Sequence, residues 1–228
     1  MKNYYYLHVS KTAGRFFYRY VLKDIISYSE SSDIGPKYLF PKHVGSNWTH
    51  HGWHDLISDD TYLMCSLRDP VEAIVSYKMH HNNVKNKAQF FKTIDQVNNI
   101  QSRSFLHWDD NKVKPGGEVH FDKELILSRL NRMNLVLDSK DININTYNDI
   151  KKKIVSDLRI KDVSYNFQKA DTDEFRTYGV KELCESLTEA EKDRIKEVNY
   201  MDVELYEAAK SLFFPIEYNS NHVHVRNK

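Results

Sequence analysis

The chain has 228 residues, 40% of them hydrophobic and 29% charged, which supplies a sizeable core for one domain and argues against general disorder. Lysine plus arginine is 33 and aspartate plus glutamate is 32; the net charge of +1 lacks the basic excess of a general nucleic-acid binder. No run of about 18 apolar residues marks a membrane span, and two cysteines, Cys65 and Cys184, make no disulfide framework.

The first residues lack the apolar stretch and cleavage site of a signal peptide. The expectation is one soluble domain over 1–228, in the reducing cytoplasm, with no membrane and no nucleic acid among its partners. Tyr4-Tyr5-Tyr6-Leu7-His8-Val9 reads as a short buried strand. Ser10-Lys11-Thr12-Ala13-Gly14 breaks it, and apolar spacing from 15 to about 27 predicts a helix. Tyr38-Leu39-Phe40 reads as a second short strand, followed by a stretch rich in histidine and tryptophan. The run from 61 to 67 is a buried strand, and Pro70 opens a helix to about 80.

Residues 87–107 read as a weakly patterned helix, 109–117 as a connector, 122–132 as a helix and 135–137 as a strand. Helices are expected over 146–158 and, longest of all, over 188–212 with Thr188 as N-cap. Alternating strands and helices predict a three-layer α/β domain with a central, mainly parallel sheet flanked by helices.

Two strand-to-helix junctions carry anion chemistry. In the first, Ser10, Lys11, Thr12, Ala13, Gly14 and Arg15 sit where backbone N–H groups and the helix dipole favour phosphate or sulfate. The lysine precedes the glycine, so this is not the Walker A spacing. In the second, Arg68 ends a strand at the edge where parallel sheets bind ligands. Ser76 lies two turns into the next helix, leaning back toward Arg68, and Asp69 reads as a cap or salt-bridge partner.

Together these junctions resemble the sulfotransferases that use 3′-phosphoadenosine 5′-phosphosulfate (PAPS), in particular the branch of heparan-sulfate 2-O-sulfotransferases with its bacterial and viral relatives. The resemblance covers residues 4–16 and 62–77, and Asn199 to Tyr206 is similar to the family's late helix. It implies a P-loop-like fold. It also implies that Lys11 to Phe16 hold the 5′-phosphosulfate and that Arg68 and Ser76 hold the 3′-phosphate. Ala73 departs from relatives that carry a second arginine there.

Sulfuryl transfer to a hydroxyl needs a base, and the family places a histidine between the two junctions. His51, ahead of Gly52-Trp53-His54, and His43, at a strand end, compete for that role, with His51 favoured. His50 and His54 have the i, i+4 spacing of a zinc pair but no H-E-x-x-H pattern, and no metal is expected. Trp48 and Trp53 suit either stacking on a ligand or core packing. Lys169 is a weaker candidate for the 3′-phosphate, and Lys151-Lys152-Lys153 reads as a solvated helix face.

The sequence thus predicts in-line transfer of a sulfuryl group from PAPS, as co-substrate, to an acceptor hydroxyl such as a carbohydrate's. His51 or His43 acts as base, and Lys11 stabilises the leaving group. The alternatives are a P-loop-like ATP-dependent kinase and a non-catalytic nucleotide- or glycan-binding module on the same fold. The acceptor and the oligomeric state stay open.

Overall fold

The computed structural model describes residues 3–23, 25–26, 37–39, 52–54, 57–106, 119–143, 146–160 and 179–214. Three short strands, β1 (Tyr4–Leu7), β2 (Tyr62–Leu67) and β3 (Leu135–Asp138), pair in parallel in the order β1-β2-β3. Tyr4 faces Tyr62 across the first pair and Met64 faces Leu135 across the second. Every strand residue is buried, as expected for a parallel sheet covered on both faces. The expected strand at 38–40 is reduced to one parallel bridge, Tyr38 to Tyr4, among the described residues.

Side chains alternate along the strands and feed two cores. On one face Tyr4, Tyr6, Met64 and Leu137 pack against Phe17, Val21, Ile25 and Ile154. On the other, Tyr5, Leu7, Cys65 and Val136 pack against Trp53, Ile126, Leu205 and Ala209. Each such side chain contributes roughly 1.5–3 kcal/mol when fully buried. The helices of the first face are α1 (Gly14–Phe17) and α5 (Tyr147–Asp157). Those of the second are α4 (Lys123–Asn131) and α8 (Tyr200–Phe213). A third cluster joins α2 (Pro70–His81), α3 (Lys87–Lys92), α6 (Val180–Ser186) and α7 (Glu189–Val198) through Ile74, Phe90, Leu183 and Ile195. No described helix is long and apolar enough to cross a membrane.

Four further features differ from the sequence reading. After α1 the helix widens into a π-helical turn, Tyr18–Leu22, in which the Lys23 N–H donates to the Tyr18 carbonyl. Tyr20, Val21 and Leu22 of this wider turn are all buried in the core. The expected helix over 87–107 breaks into α3 and two 3₁₀ turns, Ile94–Gln96 and Ser102–Phe105. The expected helix over 188–212 breaks at Asn199 into α7, with its Thr188–Glu191 capping box, and α8. The same contacts cause both breaks. Asn199 Oδ1 accepts from the Asn99 N–H at 2.9 Å, and Asn99 Oδ1 accepts from the N–H groups of Met201 and Asp202. Asn99 adopts a left-handed φ of 48° to reach them.

The fourth difference is the lysine run in α5. Lys151 is buried at 2% exposure, and the Lys153 ammonium lies 2.8 Å from Asp157, which also accepts from the Tyr62 hydroxyl at 2.6 Å. Charge patterning alone does not reveal this burial.

Candidate functional site

All three strands are parallel, so their C-terminal ends share one edge of the sheet, where open α/β folds bind ligands. The segment 8–13 leaves β1 there, Arg68 leaves β2, and Asp138 closes β3.

The loop after β1 is tied to β2 by buried hydroxyls. Ser66 Oγ donates to the Thr12 carbonyl at 2.6 Å and lies 2.7 Å from the Tyr6 hydroxyl and 3.0 Å from Thr12 Oγ1. Thr12 Oγ1 also donates to the Val9 carbonyl at 2.9 Å. Ser66 and Thr12 are fully buried. Burial holds the Tyr6 phenol far above its ordinary pKa, so it stays a neutral hydrogen-bonding group. Lys11 and Ala13 sit at φ 63° and 62°, in the left-handed region that costs a non-glycine residue roughly 1–2 kcal/mol. The Thr12 anchor between them holds that strained backbone.

Gly14 has a different reason to be glycine. A Cβ there would lie 2.1 Å from His8 Nε2, so the imidazole at the end of β1 occupies the space of a side chain at 14. His8 in turn stacks on Tyr6, ring centroids 5.9 Å apart. Ser10 is buried, Lys11 and Ala13 are half-buried, and Phe16 packs in the core against Tyr20 at 4.8 Å. Partial burial and the positive charges of His80 and Lys11 pull the His81 imidazole below its ordinary pKa.

Arg68 is gripped by its backbone and by its side chain. The Gln101 side-chain amide accepts from the Arg68 N–H at 2.9 Å and donates to the Arg68 carbonyl at 2.9 Å. Glu72, one turn into α2, accepts from Arg68 Nε at 2.9 Å. Asp69 caps α2, accepting from the N–H groups of Val71 and Glu72. Ser76 lies eight residues after Arg68 on the same helical row as Glu72 but is 1% exposed. Glu72 therefore occupies the row between the two residues that the sequence reading joins.

At the end of β3, the buried Asp138 accepts from the Tyr206 hydroxyl at 2.6 Å and lies 3.2 Å from the Lys140 ammonium. Its hydrogen bond and charge raise the Lys140 pKa, while burial, with Asp138 adding to it, raises that of Tyr206. The edge thus carries Lys11, Arg68 and Lys140 together with Asp69, Glu72, Asp138 and Asp141; Glu72 pairs with Arg68 and Asp138 with Lys140, while the two terminal guanidinium nitrogens of Arg68 make no hydrogen bond to a described residue.

The structure brings Ser10, Lys11, Thr12, Ala13, Gly14 and Arg68 to this edge. His43, His50, His51, Trp48, Lys169 and the Arg15 side chain lie outside the described residues. Gly52, directly after His51, is held on the second face by the Tyr5 hydroxyl, which donates to its carbonyl at 2.9 Å. Trp53 is core: it is 6% exposed, with the guanidinium carbons of Arg129 and Arg132 at 4.9 and 5.1 Å from its ring centroid. Sequence reasoning missed Tyr6, His8, Ser66, Glu72 and Gln101. Ser66, a lone hydroxyl inside an apolar strand, and Glu72, four residues after Arg68, had local signals. Gln101, 33 residues from Arg68, had none.

The chain matches no protein-family model, no curated protein and no solved structure.

Proposed function

We propose that the protein is a PAPS-dependent sulfotransferase with a P-loop-like α/β fold, acting as a single domain. The observation that carries this reading is the hydroxyl tie between Thr12 and Ser66, which sets the lysine loop beside the strand end two residues before Arg68. Two cationic sites on neighbouring loops suit a nucleotide with anionic groups at both ends of its ribose. Lys11 and the amides of the loop take the 5′-phosphosulfate, and Arg68 takes the 3′-phosphate. Ser76, buried one turn beyond Glu72, is the second residue proposed for the 3′-phosphate.

In the reaction the acceptor oxygen forms a bond to sulfur as the sulfur–oxygen bond to the 5′-phosphate breaks. The acceptor proton goes to the histidine base, His51 or His43, and adenosine 3′,5′-bisphosphate leaves with its growing charge on Lys11. The acceptor is a hydroxyl compound, with a carbohydrate as the first class to screen. The scheme uses no metal and takes place in the cytoplasm.

Calorimetry with adenosine 3′,5′-bisphosphate and ADP tests the reading. The 3′-phosphate gains a charge-assisted contact worth roughly 1.5–3 kcal/mol, so the bisphosphate binds at least about tenfold more tightly. Equal affinities refute the assignment. His51→Ala and His43→Ala then locate the base: the variant that loses about a hundredfold in turnover at unchanged nucleotide affinity identifies it.

A further inference from the structure

We infer that Gln101 is a positioning residue for Arg68, and through it sets how strongly the protein selects a nucleotide bearing a 3′-phosphate. The inference rests on the sulfotransferase reading and names a residue outside its two binding loops.

Arg68 is the first residue beyond β2, where the sheet ladder no longer supplies partners. The Gln101 amide replaces that ladder, with an acceptor for the Arg68 N–H and a donor for its carbonyl, each at 2.9 Å. Only a side chain with both functions can do this; a carboxylate or an apolar group of the same length cannot. Gln101 is fully buried, and its own N–H donates to Asp202 Oδ2 at 3.1 Å while the Ser102 N–H donates to Asp202 Oδ1 at 2.7 Å. The segment that carries Gln101 is thereby fixed to α8.

Glu72 completes the grip by taking Arg68 Nε. The two terminal nitrogens of the guanidinium make no hydrogen bond to a described residue, and the side chain is 25% exposed. They form the edge that binds a phosphate with two parallel hydrogen bonds. With backbone and Nε both held, little freedom is left for the ligand to freeze, and pre-organisation appears as affinity for the one group that Arg68 meets.

The test compares adenosine 3′,5′-bisphosphate with adenosine 5′-monophosphate, which differ only in the 3′-phosphate, by calorimetry on the full chain. The readout is the ratio of their dissociation constants. The wild-type protein prefers the bisphosphate by at least about tenfold. Gln101→Met, which keeps the volume and removes both hydrogen bonds, cuts that ratio by about fivefold or more and leaves monophosphate affinity within about twofold. Gln101→Asn, which keeps both functions but draws the amide back by one methylene, falls between. In an Arg68→Ala background Gln101→Met leaves the ratio unchanged, because the residue acts through Arg68.

If Gln101→Met weakens both ligands alike, or leaves the ratio at its wild-type value, the inference is overturned while the sulfotransferase reading stands. A wild-type ratio near one overturns the reading itself, and the inference with it. Circular dichroism confirms folding, and if Gln101→Met does not fold, Gln101→Asn decides on the same criteria.

Discussion

Replacing Ser66 with alanine removes one hydroxyl and tests the joint between the lysine loop and the sheet. Ser66 Oγ is fully buried and donates to the Thr12 carbonyl at 2.6 Å, with the Tyr6 hydroxyl at 2.7 Å. Losing the bond to Thr12 costs about 1 kcal/mol net. The Tyr6 hydroxyl, 2% exposed, loses its 2.7 Å partner as well and keeps only the Thr12 hydroxyl, a poorer satisfaction of a buried donor that adds roughly 1–3 kcal/mol. Ser66→Ala therefore destabilises the protein by about 2–4 kcal/mol. Tyr6→Phe removes the phenol together with its need for a partner, and costs only about 1 kcal/mol.

The double variant is the decisive measurement. Once Tyr6 is phenylalanine, Ser66→Ala no longer leaves that hydroxyl poorly satisfied, so the double variant is less destabilised than the sum of the singles by roughly 1–2 kcal/mol. Urea unfolding followed by tryptophan fluorescence supplies the three free energies. Strictly additive costs, or a Ser66→Ala cost below about 0.5 kcal/mol, would show that these hydroxyls do not hold the loop.

Three further outcomes follow from single contacts. Gly14→Ala places a Cβ 2.1 Å from His8 Nε2 and costs about 1–3 kcal/mol in urea unfolding; most of that cost is recovered in a His8→Ala background, and no recovery refutes the steric account. Ala13→Gly relieves a φ of 62° and stabilises the protein by up to about 1 kcal/mol in the same assay, whereas a loss would show that the methyl group contributes more packing than its strain costs. Lys78 is fully buried with its ammonium on the Thr93 carbonyl, which also accepts from the Gln96 N–H, and burial pulls its pKa down to about 8. The unfolded lysine keeps its proton up to about pH 10.4, so between 8 and 10 the unfolded state binds more protons and wild-type stability rises with pH. Lys78→Met is thus more stable than wild type at pH 7, by about 1–3 kcal/mol, and its lead shrinks above pH 8; a lead that is constant from pH 7 to 10 contradicts this.

The sequence by itself determined the elements whose signal is local. Buried runs of apolar and aromatic residues made Tyr4–Leu7, Tyr62–Leu67 and Leu135–Asp138 legible as strands. Asp69-Pro70 and Thr188 marked helix starts because a cap acts within one turn. Both junctions were legible as strand-to-helix turns for the same reason, since a strand followed by a helix directs amides and strand-end side chains to one edge.

Only the tertiary structure decided where a remote side chain overrules local preference. The helical patterns over 87–107 and 188–212 each break where Asn99, Asn199 and Asp202 exchange hydrogen bonds across some 100 residues. Gly14 reads as a loop glycine in sequence, but folding brings over it an imidazole six residues earlier that would have to move for any Cβ there. Lys151 reads as a surface charge and is buried. Periodicity records which face of an element is apolar. It does not record which buried polar groups find each other, because such pairs are set by the three-dimensional demand that every buried donor and acceptor be satisfied.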